Sequence, residues 1–69
     1  MSAQSVGDFV KQRRKALNMT QGDLALVAGT GLRFISDLEN GKPTCAIGKA
    51  LSVLSSLGVE LVFKPVGGQ

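Results

Sequence analysis

The sequence predicts a mainly α-helical single domain that ends in one β-strand. Three observations carry this. Apolar residues recur at helical spacing from Val6 to Leu57. Asn and Gly residues cut that pattern into short pieces. At Val59–Lys64 the period changes, with Val59, Leu61 and Phe63 alternating against Glu60 and Lys64.

The first helix is expected from about Ser5 to Leu17, with Val6, Phe9, Val10, Arg13 and Leu17 on one face and Lys11, Gln12 and Lys15 on others. Asn18 suits a left-handed end. Thr20 opens a second helix, where Thr20-Gln21-Gly22-Asp23 reads as a capping box with Asp in place of Glu. Leu24, Ala25, Val27 and Ala28 are its expected buried side, and Gly29 breaks it. A third helix follows from about Leu32 to Glu39 on Phe34, Ile35 and Leu38, and Asn40-Gly41 ends it. After Lys42-Pro43, Thr44 caps a fourth helix from about Cys45 to Leu57. Ile47, Ala50, Leu51, Leu54 and Leu57 mark its apolar face, with Gly48 costing about 1 kcal/mol relative to Ala. Val59, Leu61 and Phe63 then alternate with wet Glu60 and Lys64 in the strand. Pro65 ends it ahead of a mobile tail.

Composition narrows the function classes. A chain of 69 residues with 43% hydrophobic content is expected to fold as one domain with a thin core and no separate catalytic unit. Cys45 is the single cysteine and histidine is absent, so neither an internal disulfide nor a Cys/His zinc site is expected. Oligomerisation is the remaining staple for so small a core. No nucleophile–base pair, metal cluster or phosphate-cradling glycine loop is evident, so no enzyme activity, metal or cofactor is expected. The longest uncharged run, Ala50–Val59, is too short to span a bilayer, and the start lacks a secretory signal. A soluble, reducing, cytoplasmic location without a membrane partner is the expectation.

The net charge is +3. Lys11, Arg13, Arg14 and Lys15 cluster, with Arg33 and Lys42 further on. This pattern fits either a solvated helix face or a phosphate-binding surface. Phe is the only aromatic type, three copies in all, so a single-strand base-stacking platform is poorly supported.

The informative constellation is two short helices joined through Gly29. Counting from Gln21, a small residue (Ala25) stands fifth, Gly ninth (Gly29), and apolar residues fifteenth and eighteenth (Ile35, Leu38). Ala25 permits close approach of the two helices. Gly29 takes a left-handed turn at little steric cost. Ile35 and Leu38 turn the second helix inward and leave its other face free. Thr20-Gln21, Leu24-Ala25, Gly29, Ile35-Ser36 and Leu38-Glu39-Asn40-Gly41-Lys42 resemble the helix-turn-helix of the Xre/Cro family, which includes lambdoid phage repressors. The resemblance spans Val6 to about Leu57.

Three further stretches resemble HipB-type antitoxins: Arg13–Leu17, Phe34–Thr44 and Leu51–Leu61. This resemblance implies a lambda-repressor-like fold of four to five helices, with the strand pairing across a dimer. It implies a repressor of its own operon that also binds and neutralises a HipA-like kinase toxin. The corresponding division is 1–4 as a flexible start, 5–58 as the DNA-binding body, 59–64 as the dimerisation strand and 65–69 as a flexible tail. Two other functions remain open: a stand-alone phage-like or restriction-controller regulator, and a protein-interaction module that does not bind DNA.

On the DNA-binding reading, Gly31, Leu32, Arg33, Ser36 and Asp37 face base edges. Arg33 can form a bidentate contact to guanine or bind a phosphate. Asp37 can accept from cytosine N4, and Leu32 can touch a thymine methyl. Gly31 and Leu32 leave few polar readers, so DNA shape carries part of the specificity. Lys11, Gln21, Asn40 and Lys42 are the expected phosphate contacts. Arg14 and Glu39 match a family ion pair. Val53, Val59, Leu61 and Phe63 are the expected dimer contacts, on an inverted-repeat operator. Cys45 is either an inert free thiol or a redox switch at a helix start.

Overall fold

The computed structural model describes residues 2–43 and 46–67. Four helices follow one another: α1 (Ala3–Ala16), α2 (Gln21–Ala28), α3 (Leu32–Glu39) and α4 (Ile47–Ser56). α1 begins two residues ahead of the expected Ser5. The Ser2 hydroxyl accepts from the Ser5 N–H at 3.1 Å and supplies a cap that apolar spacing alone does not reveal. α1 closes through Asn18, which has φ +58°. That turn lets the Met19 N–H donate back to the Arg14 carbonyl at 3.1 Å.

The Thr20–Asp23 capping box forms in both directions. The Thr20 hydroxyl accepts from the Asp23 N–H, and the Asp23 carboxylate accepts from the Thr20 N–H, each at 3.0 Å. These bonds to Thr20 hold the Asp23 carboxyl below its ordinary pKa. Gly29, at φ +72°, ends α2. The Thr30 N–H then returns to the Ala25 carbonyl at 2.9 Å, so only three residues separate α2 from α3.

α1 packs on α3, while α2 packs on both α3 and α4. Val10, Leu24, Ile35, Val53 and Leu57 are fully buried where these contacts meet. Burying each such side chain contributes about 1.5–3 kcal/mol. Ala25 and Ala28 keep α2 close to its neighbours, and the Ser52 hydroxyl donates to the Ala28 carbonyl at 2.8 Å. Gly7 does the same for α1. A methyl group there would meet the backbone carbonyls at the end of α3, with the Glu39 oxygen 2.8 Å away. α1 therefore crosses α3 at backbone contact.

Several expectations change. Val53 is 0% exposed and belongs to the core of a single chain, not to a dimer surface. α4 carries two overlapping apolar stripes, and the one through Val53, Leu54 and Leu57 faces inward. Ile47 and Leu51 are left exposed. Val27 is also exposed, because α2 buries Leu24, Ala25 and Ala28 and turns its neighbours outward.

No strand occurs among the described residues. Residues 59–64 carry no ladder, because one chain offers this segment no second strand. Val59 packs against the core, whereas Leu61 and Phe63 are exposed. The expected α4 start at Cys45 and its Thr44 cap lie outside the described residues, as do Met1, Gly68 and Gln69.

Candidate nucleic-acid interface

α3 begins without a side-chain cap at Gly31, immediately after the turn, and buries Ile35, Leu38 and Glu39. Its opposite side is open. Gly31, Leu32 and Arg33 are exposed, with the Arg33 side chain 88% exposed. Ser36 and Asp37 are half-buried. Arg33 and Asp37 are one turn apart and so share a face. The Asp37 Oδ2 lies 4.0 Å from Arg33 Nε and 3.7 Å from Lys42 Nζ. Lys42 reaches this position because its N–H donates to the Asp37 carbonyl at 3.0 Å, folding the exit of α3 back over the last turn. Asn40 is exposed beside it. The structure thus sets Gly31 just ahead of α3, Leu32, Arg33, Ser36 and Asp37 on it, and Asn40 and Lys42 just after it.

A second group lies beneath. Arg14 donates from Nε to Glu39 Oε2 at 2.6 Å and from Nη2 to Oε1 at 3.0 Å. Its Nη1 donates to the Met19 carbonyl at 2.7 Å. Arg14 is 8% exposed and Glu39 4%. The hydrogen bond to Glu39 raises the Arg14 pKa against the opposing effect of burial. Burial pushes the Glu39 carboxyl up. The hydrogen bonds from Arg14 and Gln21 and the charges of Arg14 and Lys11 outweigh it, so the pKa lies below the ordinary value. This bidentate pair fastens α1 to the end of α3.

Gln21 joins the pair by donating from Nε2 to Glu39 Oε1 at 3.1 Å. One of its two amide hydrogens is thereby committed. Asp23 also sets a carboxylate at the same end of α2. A phosphate there must approach an N-terminus whose dipole is already complemented. Lys11 is exposed on α1.

Two contacts escaped the sequence. Arg13, read as one of a basic cluster, donates from Nε to the Leu57 carbonyl at 3.0 Å and caps α4 from 44 residues away. The Gln21–Glu39 bond joins residues 18 apart with no local signature. A basic residue in the last turn of a helix was the available hint for Arg13. The apolar groove beside α1, with a volume of about 310 Å³, is lined by Ser5, Val6, Phe9, Leu54, Val59 and Leu61. It lies along the base of the C-terminal segment. Among the described residues, no cluster of three or more His, Cys, Asp or Glu is placed to hold a metal, and no helix is long and apolar enough to cross a membrane.

A short α2, a tight glycine turn and an outward-facing α3 locked to α1 make a helix-turn-helix unit. Residues 10–64 match the Helix-turn-helix family model HTH_3, and the chain belongs to that Xre/Cro-like family. It is also similar to a protein of Sinorhizobium fredii (strain NBRC 101917 / NGR234) named "Uncharacterized HTH-type transcriptional regulator y4mF". The two are 55% identical over 56 residues, covering 81% of this chain and 74% of that one.

Proposed function

We propose that the chain is a transcriptional repressor that binds double-stranded DNA in a sequence-specific manner, as a homodimer on an inverted-repeat operator. The observation that carries this is the open face of α3, with Arg33 extended into solvent and Lys42 beside the helix exit. In a helix-turn-helix the second helix enters the major groove, where Arg reads guanine O6 and N7. The printed name of the Sinorhizobium relative supports a regulatory role.

Dimerisation is supported by exposed apolar side chains at one end of the chain: Leu61, Val62 and Phe63, the last 86% exposed. Pairing residues 59–64 with the same segment of a second copy satisfies their backbone groups and covers these side chains. Ile47 and Leu51 replace Val53 as the α4 residues available to that contact. A two-fold pair places two α3 helices about 34 Å apart, one turn of DNA.

The resemblance to HipB-type antitoxins extends the proposal to a HipA-like kinase partner. Its support is the sequence stretches alone. Coexpression with the product of the adjacent gene followed by size exclusion tests it: coelution supports the antitoxin role, and separate elution leaves a stand-alone regulator.

The DNA-binding proposal is tested with the duplex upstream of the chain's own gene against random duplex. Arg33→Ala is expected to weaken the specific complex by about 1–3 kcal/mol and the random one by less. Equal losses on both would make Arg33 a phosphate contact. No binding of the wild-type chain to either duplex would overturn the proposal.

A further inference from the structure

We propose that Asp37 sets which DNA the interface accepts, by opposing binding wherever the facing base offers no hydrogen-bond donor; this rests on the DNA-binding reading above. Arg33 and Lys42 both approach the same Asp37 oxygen beside the open face of α3, at 4.0 and 3.7 Å. The Asp37 side chain is 37% exposed, so it is reachable from the groove side. Its two partners are held at ion-pair distance, beyond hydrogen-bond contact. They are free to leave it for DNA. The Lys42 N–H bond to the Asp37 carbonyl keeps the start of that side chain beside the carboxylate in either state.

An ionised carboxylate only accepts hydrogen bonds. In the major groove, guanine presents N7 and O6, and thymine presents O4 and a methyl group; neither edge offers a donor. Cytosine N4 and adenine N6 do. Against a guanine or a thymine the carboxylate therefore loses water and faces other acceptors or phosphates. Arg33 and Lys42 can reach those phosphates only by leaving Asp37 exposed to them. At a matched cytosine or adenine the carboxylate regains a partner while both cations turn to the DNA. Discrimination thus comes from weakening the wrong complexes, without any added attraction for the right one. The device matters more here because Gly31 and Leu32 supply no polar side chain at the start of the same helix.

The test uses the full chain, Asp37→Asn, Asp37→Ser as a second variant, and Asp8→Asn, exposed on α1, as an equal change of charge outside α3. Each is measured on a pool of random-sequence duplexes and on the duplexes that the wild-type chain selects from that pool. Circular dichroism checks that each variant is folded. Loss of the carboxylate at position 37 is expected to raise affinity for the unselected pool and lower the selected-to-random ratio by about two- to fourfold, because two of the four facing bases offer a donor in each half-site. Duplexes selected by Asp37→Ser should lose a cytosine or adenine preference at one position of each half-site, since a hydroxyl both donates and accepts. Asp8→Asn should leave the ratio unchanged. An unchanged ratio for both Asp37 variants, or the same fall for Asp8→Asn, overturns the inference while leaving DNA binding intact. A wild-type chain that retains no duplex overturns the DNA-binding reading itself, and this inference with it.

Discussion

Replacing Arg14 by Met removes the cation that is hydrogen-bonded to the Glu39 carboxylate and leaves the methylene bulk largely in place. Glu39 is 4% exposed, so the stranded carboxylate is not readily rehydrated. It loses charge-assisted bonds at 2.6 and 3.0 Å and keeps the Gln21 amide at 3.1 Å. The Met19 carbonyl loses its Arg14 donor as well. Breaking a buried pair from one side costs about 3–5 kcal/mol. A domain of 69 residues has roughly 3–10 kcal/mol in total. Arg14→Met should therefore consume much of the stability and lower the melting temperature by about 15–30 °C. Glu39→Met should do the same, for it strands the guanidinium. The double variant should be more stable than the sum of the two losses predicts, because neither charge is then buried alone. Urea titrations of all four proteins give the coupling. A coupling below about 0.5 kcal/mol would refute the reasoning.

Since the folded Glu39 pKa lies below the ordinary 4.5, its contribution is complete above that value and is lost as pH falls through the folded pKa. Urea stability of the wild type should thus drop below about pH 4.5, and the Arg14→Met/Glu39→Met protein should lack that part of the drop. Gly7→Ala should destabilise by about 1–3 kcal/mol through its clash with the α3 carbonyls. Gly48→Ala, in the first turn of α4 with nothing among the described residues within 4 Å of the added methyl, should instead stabilise by up to about 1 kcal/mol in thermal melts. Stabilisation by both glycine replacements would contradict the close crossing of α1 and α3. Leu61→Pro should remove a ladder donor and give a monomer in analytical ultracentrifugation where the wild type sediments as a dimer.

The sequence carried the helix ends well because their signals are local. Thr20 and Asp23 are three residues apart, and Asn18 and Gly29 each take a left-handed backbone that few residues tolerate. The faces of α4 were less legible. Ile47, Ala50, Leu51, Val53, Leu54 and Leu57 are compatible with two helical stripes, and only packing against α2 selects the one containing Val53. Residues 59–64 alternate as a strand should, yet pairing needs a partner that this pattern cannot supply within one chain. In the interface, the Arg14–Glu39 pairing came from resemblance. The convergence of Arg33 and Lys42 on Asp37 depends on the backward fold of the chain after α3. Gly7 gave no sign of its role, since a helical glycine reads only as a weak helix former until the neighbouring backbone is in place.

The central claim is that this helix-turn-helix chain recognises DNA as a two-fold pair. The most direct measurement is binding of the wild-type protein to the duplex upstream of its own gene, titrated over salt and protein concentration, with random duplex as competitor. The account predicts two chains per site and protection of two half-sites about one helical turn apart. It also predicts an affinity that falls with log salt at a slope of about −0.9 per phosphate contact. Binding indistinguishable from random duplex, or one chain bound to one half-site at saturation, would contradict it.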